Sequence, residues 1–135
     1  MCLHGGIAKD MQEMKDLDQL NDQIRKPFEI PHHGIEAEIV WNDPCEDCIA
    51  EKWGENERGC GRTFSRNILR NLLSKHNLDL VVRSHQVMED GYGFFGKAKQ
   101  LITIFSAKNY GGKKFDNDAA ILSVDNDLVC KVIRF

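Results

Sequence analysis

Four short apolar runs in the second half of the chain, residues 78–83, 101–105, 119–124 and 128–133, constrain the fold most. Each is rich in Leu, Ile or Val and too short for a self-sufficient helix, so each is expected to be a strand. The last two are separated only by Asp125-Asn126-Asp127, which predicts a tight antiparallel hairpin. A fifth apolar piece, Met1-Cys2-Leu3, runs straight into His4-Gly5-Gly6. Terminal residues usually fray, so a buried-looking strand there leads us to expect a further upstream portion.

Between these strands the period changes to that of helices. After Asp10, a plausible N-cap, Met11, Met14, Leu17, Leu20 and Ile24 recur at three- and four-residue steps, giving an amphipathic helix closed by Pro27. Thr63 is expected to cap a second helix with Phe64, Ile68, Leu69, Leu72 and Leu73 as its buried stripe and Asn77 as its end. Residues 28–34 read as loop, and 35–41 as a strand or short helix before an Asn42-Asp43-Pro44 turn. Residues 45–62 show no period and read as a long surface loop, a feature more often functional than idle. The fold class is α+β or α/β with a mostly antiparallel end.

A chain of 135 residues is one domain or a piece of one. Its 18 basic and 21 acidic residues leave a net charge of −3, no electrostatic reason to expect nucleic acid or a membrane surface as partner. No apolar run approaches a bilayer span, and the opening residues lack the pattern of a secretory signal. The default expectation is the cytoplasm or nucleus. Five cysteines, an odd number without a secretion signal, lead us to expect reduced thiols.

Three polar clusters follow apolar runs: His4-Gly5-Gly6, Arg83-Ser84-His85-Gln86 and Ser106-Ala107-Lys108-Asn109-Tyr110. Side chains at strand ends converge on one sheet edge, where sites are commonly built. One histidine near a strand end is more often a hydrogen-bonded structural residue than a ligand. The three clusters together are more specific. The stretch from Lys75-His76-Asn77-Leu78-Asp79 through Arg83-Ser84-His85-Gln86 to Glu89-Asp90-Gly91-Tyr92 closely resembles the type-1 branch of the serine/threonine phosphoprotein phosphatases. Trp53-Gly54-Glu55-Asn56-Glu57-Arg58-Gly59 is similar to that family's tryptophan-glycine-arginine loop, and Trp41-Asn42-Asp43-Pro44 keeps its place in the order.

The resemblance covers the whole chain and implies that residues 1–135 are the carboxy-terminal half of a calcineurin-like metallophosphoesterase catalytic domain. The implied fold is a metallophosphatase-type β-sandwich flanked by helices, ending in antiparallel strands. The implied activity is hydrolysis of phosphoserine and phosphothreonine in phosphoprotein substrates by a water that two divalent metals (manganese, iron or zinc) activate. His4 and His85 would be ligands of one metal, Arg58 would clamp the phosphate, Tyr110 would border the cleft and Asp43 would support it. The family's remaining ligands, in aspartate- and histidine-bearing motifs and an asparagine-histidine pair that also supplies the general acid, have no counterpart here. The chain alone is therefore expected to be inactive.

The resemblance also implies a channel for regulatory subunits carrying a basic-Val-x-Phe peptide, at Leu80, Phe94, Leu128 and Cys130, with Val132 in place of an aromatic. The alternative for these positions is ordinary core. Other departures are Ala8-Lys9 for serine-proline, Lys108 for a proline, Gly111 for a cysteine, and a longer, more basic loop through Lys113-Lys114. Substrate preference is expected to shift accordingly. A rival function is a non-catalytic module that binds phosphatase regulators, although such a module would need none of His4, His85, Arg58 or Tyr110. A third reading places zinc on Cys45, Cys48 and Cys60 with His32 or His33, but a lone Cys-x-x-Cys favours free thiols in a variable loop.

Overall fold

The computed structural model describes residues 1–13, 15, 29–48, 52–112 and 114–135. Most of the helix expected after Asp10 lies outside them; what is described begins as a 3₁₀ turn, Lys9–Gln12, that buries Met11. Among the described residues two α-helices follow, α1 (Ile35–Trp41) and α2 (Arg66–Lys75). The strands are β1 (Asp43–Pro44), β2 (Trp53–Glu55), β3 (Arg62–Phe64), β4 (Val81–Arg83), β5 (Tyr92–Phe94), β6 (Leu101–Ile104), β7 (Ala120–Val124) and β8 (Cys130–Arg134).

The strands form two three-stranded sheets, β1-β3-β2 and β4-β6-β5, and a β7-β8 hairpin. β4 runs parallel to β6, with Val82 opposite Ile102, and β5 pairs antiparallel with β6. On its other side β4 is flanked by the amino terminus. Val82 donates to the Met1 carbonyl at 2.9 Å, Leu3 donates to the Val82 carbonyl at 3.0 Å, and the bridge is parallel. Residues 1–3, β4 and β6 thus run side by side in one direction.

Helix α2 carries the expected stripe of Ile68, Leu69, Leu72 and Leu73 onto a core with Ile7, Met11, Phe64, Val81 and Leu101. Its cap is Ser65, whose hydroxyl accepts from the Ile68 N–H at 3.4 Å, whereas Thr63 sits in β3. The reason is register. Phe64, expected on the helix, is fully buried as a strand residue against Trp53 and Phe95, so the helix starts only after it. Asn77 ends the helix in the left-handed region at φ 50°. Residues 35–41 resolve to a helix. The loop 45–62 is not without structure, since Trp53–Glu55 pairs with β3 and brings the Gly54 backbone against Thr63. The hairpin forms as expected, closed by Leu128 N–H on the Asp125 carbonyl at 3.1 Å.

Candidate active site

The parallel run of residues 1–3, β4 and β6 puts three carboxyl ends on one sheet edge, the place where open α/β sheets build their sites. The segments that leave them enclose a cavity of about 300 Å³ lined by His4, Ser84, His85, Phe105, Ser106, Ala107 and Tyr110. Ser84 N–H donates to the His4 carbonyl at 3.0 Å, which fixes the first two segments against each other. The turn after His4 can pack closely against its surroundings because Gly5 and Gly6 have no side chains. A Cβ on Gly5 would lie 2.3 Å from the Val40 carbonyl oxygen, and one on Gly6 would meet the Phe64 ring at 2.5 Å.

The His4 and His85 rings meet edge to face, 5.2 Å between centroids, and Trp41 abuts His85 at 5.2 Å from another side. His85 has φ 65°, a left-handed conformation uncommon for a residue with a side chain and typical of functional sites. Its Nε2 is buried without a hydrogen-bond partner. Burial pulls its pKa down to about 4, and the nearby Arg58 charge acts in the same sense against the opposing Asp43 carboxylate. A buried, neutral, unpartnered imidazole nitrogen is the form in which histidine ligates a metal. His4 and His85 therefore fit one end of a metal centre. They do not close it: among the described residues no three His, Cys, Asp or Glu side chains are grouped to hold an ion.

Behind the histidines, one carboxylate organises two arginines. Asp43 accepts from Arg83 Nη2 at 2.8 Å through Oδ1, and from Arg58 Nε at 2.8 Å and Asn56 Nδ2 at 3.1 Å through Oδ2. Burial alone would raise its pKa, but the donors from Arg58 and Asn56 and the charges of Arg83 and Arg58 outweigh it and hold the carboxyl below its ordinary range. Arg83 is fully buried, and desolvation pulls it down to about 10 against the attraction of Asp43. It also donates to the Gly5 and Asn42 carbonyls and to Gln86 Oε1, tying both sheets to the His-Gly-Gly turn. Arg58 is pinned through Nε and through its own N–H, which donates to Asn56 Oδ1 at 3.1 Å. Among the described residues nothing engages its two terminal amino groups, which stay open to a bidentate anion.

Tyr110 stands on the cavity rim, half exposed, its ring edge-on to Phe105 at 5.3 Å. Buried Asn117 holds its loop, accepting from Tyr110 N–H at 2.9 Å and donating to the Ala107 carbonyl at 2.8 Å. Sequence reasoning assigned no role to Arg83, Asn56 or Asn117. Only Arg83 left a signal, a charge closing an apolar strand. Of the four channel positions, Phe94 lines a cavity with Pro44, Glu46, Gln86, Met88, Gly93, Phe95 and Thr103.

The cysteines correct the sequence reading. Cys45 and Cys48 form a disulfide with Cα atoms 5.4 Å apart, so neither offers a thiolate to zinc, while Cys2, Cys60 and Cys130 are free. His32 and His33 instead line a separate cavity of about 340 Å³ with Glu38, Glu55 and Arg62. That cavity, although larger, holds no cysteine and its Glu38 is already paired with Arg62 at 2.9 Å. The chemistry is better placed at His4 and His85.

Comparison with known proteins gives two findings. A family model described as calcineurin-like phosphoesterase matches residues 1–89. A solved structure, described as a protein serine/threonine phosphatase from Saccharomyces cerevisiae with similarity to human phosphatase PP5, is similar at a TM-score of 0.81 and 26% identity. The match covers 99% of this chain and 43% of that one. No helix among the described residues is long and apolar enough to cross a membrane.

Proposed function

Because the chain belongs to the calcineurin-like phosphoesterase family, we propose that it is the carboxy-terminal part of a type-1-like serine/threonine protein phosphatase, acting on phosphoserine and phosphothreonine in cytoplasmic or nuclear phosphoproteins. The observation that carries this reading is the neutral, unpartnered His85 Nε2 beside His4, with the open end of Arg58 anchored nearby through Asp43. His4 and His85 would hold one of two divalent ions (manganese, iron or zinc), which when bound supply an activated water and neutralise phosphate charge.

This chain's own residues do the remaining positioning. Arg58 grips two phosphate oxygens through its free amino groups, a planar fork suited to that anion. Asp43 spends one oxygen on Arg58 and the other on Arg83, so the clamp is aimed before substrate arrives. Tyr110 offers a phenol at the rim. The proton for the leaving serine oxygen and the second ion's ligands are assigned, on the family resemblance, to residues outside this cluster. The 135-residue chain alone is thus expected to be inactive. Regulatory subunits with a basic-Val-x-Phe motif remain part of the proposal, resting on the resemblance at Leu80, Phe94, Leu128 and Cys130.

The test is phosphate release from a phosphoserine peptide with Mn²⁺, using the complete gene product and the isolated chain. We expect turnover only from the complete product, lowered about 10²–10³-fold by Arg58→Ala, as when one transition-state donor is removed. Complete-product turnover untouched by Arg58→Ala would overturn the assignment, and turnover by the isolated chain would overturn the need for a second half.

A further inference from the structure

The Cys45–Cys48 disulfide is placed where it can govern the loop that carries Arg58. Cys45 directly follows β1, the strand of Asp43, and its N–H donates to the Phe64 carbonyl at 2.9 Å, extending the β1–β3 pairing. Glu46 is held as well, accepting from Arg66 and, at 3.0 Å, from the Gly96 N–H. Cys45 is therefore the anchored end. Cys48 belongs to the segment leading to β2 and onward to Asn56 and Arg58, so the S–S bond ties the start of that segment to the strand bearing Arg58's own partner. Both cysteines are half-buried, and the Glu46 and Asp47 between them are exposed, so the bond lies within reach of an external thiol.

We propose that Cys45–Cys48 is a reversible redox site whose reduction loosens residues 52–58 and with them the seat of Arg58. The co-reactant is a dithiol reductant. One of its thiolates attacks a cysteine sulfur, breaking the S–S bond to give a mixed disulfide and releasing the other cysteine as a thiolate that takes up a proton. The second reductant thiolate displaces the remaining cysteine, which is protonated in turn. The protein gains two electrons and two protons, and the reductant leaves as its own disulfide. A bond spanning only three residues constrains little of the unfolded chain, so its influence is local rather than on global folding. The proposal goes beyond the hydrolytic reading and needs it only for what a loosened Arg58 would mean.

The experiment uses the 135-residue chain without metal or substrate, so its failure would leave the phosphatase reading standing. Thiols are titrated in denaturant before and after dithiothreitol, and amide hydrogen exchange is followed in native buffer in both states. We expect three reactive thiols before reduction and five after. Exchange at residues 52–58 should be about tenfold faster in the reduced chain, with α2 unchanged. Cys48→Ser should show the fast exchange without reductant, and Cys60→Ser should keep the full response. Five thiols before reduction, or equal exchange at 52–58 in both states, would overturn the proposal whether or not the serine variants fold.

Discussion

Replacing Asp43 removes the partner of two arginines in different surroundings, so the two pairs can be compared within one site. Arg83 has no exposed side-chain surface, and Asp43→Ala leaves that charge buried and unpaired, at a cost of about 3–5 kcal/mol. Arg58→Ala breaks a pair whose arginine is partly exposed, and should cost no more than about 1 kcal/mol while removing the clamp. Urea denaturation of the two variants measures the contrast; equal costs would mean that Arg83 finds another counter-charge. His85 gives a second residue-level expectation. The folded chain keeps it neutral down to about pH 4, whereas the unfolded chain protonates near 6.5. Its contribution is therefore complete above 6.5 and is lost as pH falls toward 4 in metal-free buffer. Stability measured across that interval should decline for the parent chain and stay flatter for His85→Asn.

At the scale of elements, the helix cap separates what sequence shows from what packing decides. Ser65→Ala should cost about 1 kcal/mol by thermal or chemical denaturation, and Thr63→Ser much less, because only Ser65 caps α2. The stripe Ile68, Leu69, Leu72 and Leu73 was legible because a helix of that length repeats its period. The strands β4, β6, β7 and β8 were legible as apolar runs, and the polar clusters behind them marked the site edge. Strands of three residues such as β2 and β5 show no period at all, and Phe64 fits helix and strand patterns equally well. The site was legible as residue types at strand ends. The Asp43–Arg83 link was not, since it joins residues forty apart whose meeting depends on how two sheets pack. The disulfide was hidden by reasoning from compartment rather than from local geometry.

At the scale of the molecule, the β7–β8 hairpin is poorly covered. Ile121 and Ile133 are opposite each other in the ladder and both exposed, and Leu128, Val129 and Phe135 add further apolar surface. A two-stranded hairpin with an open apolar face is a self-association hazard. Sedimentation of the isolated chain should show concentration-dependent association that Ile133→Lys reduces; a monomer at all concentrations would mean that the face is harmless as it stands. The chain spans 43% of the phosphatase structure it resembles, and its own residues supply two imidazoles and a clamp without a closed ligand set. Whether those two imidazoles act as one centre can be read directly by titrating Zn²⁺ into the chain and following the imidazole proton signals by NMR. We expect the His4 and His85 signals to move together at one ion per chain, and His85→Asn to abolish the response of His4. Zn²⁺ that shifts His32 and His33 while leaving His4 and His85 unmoved would show that the pair is structural and that this edge is not a metal site.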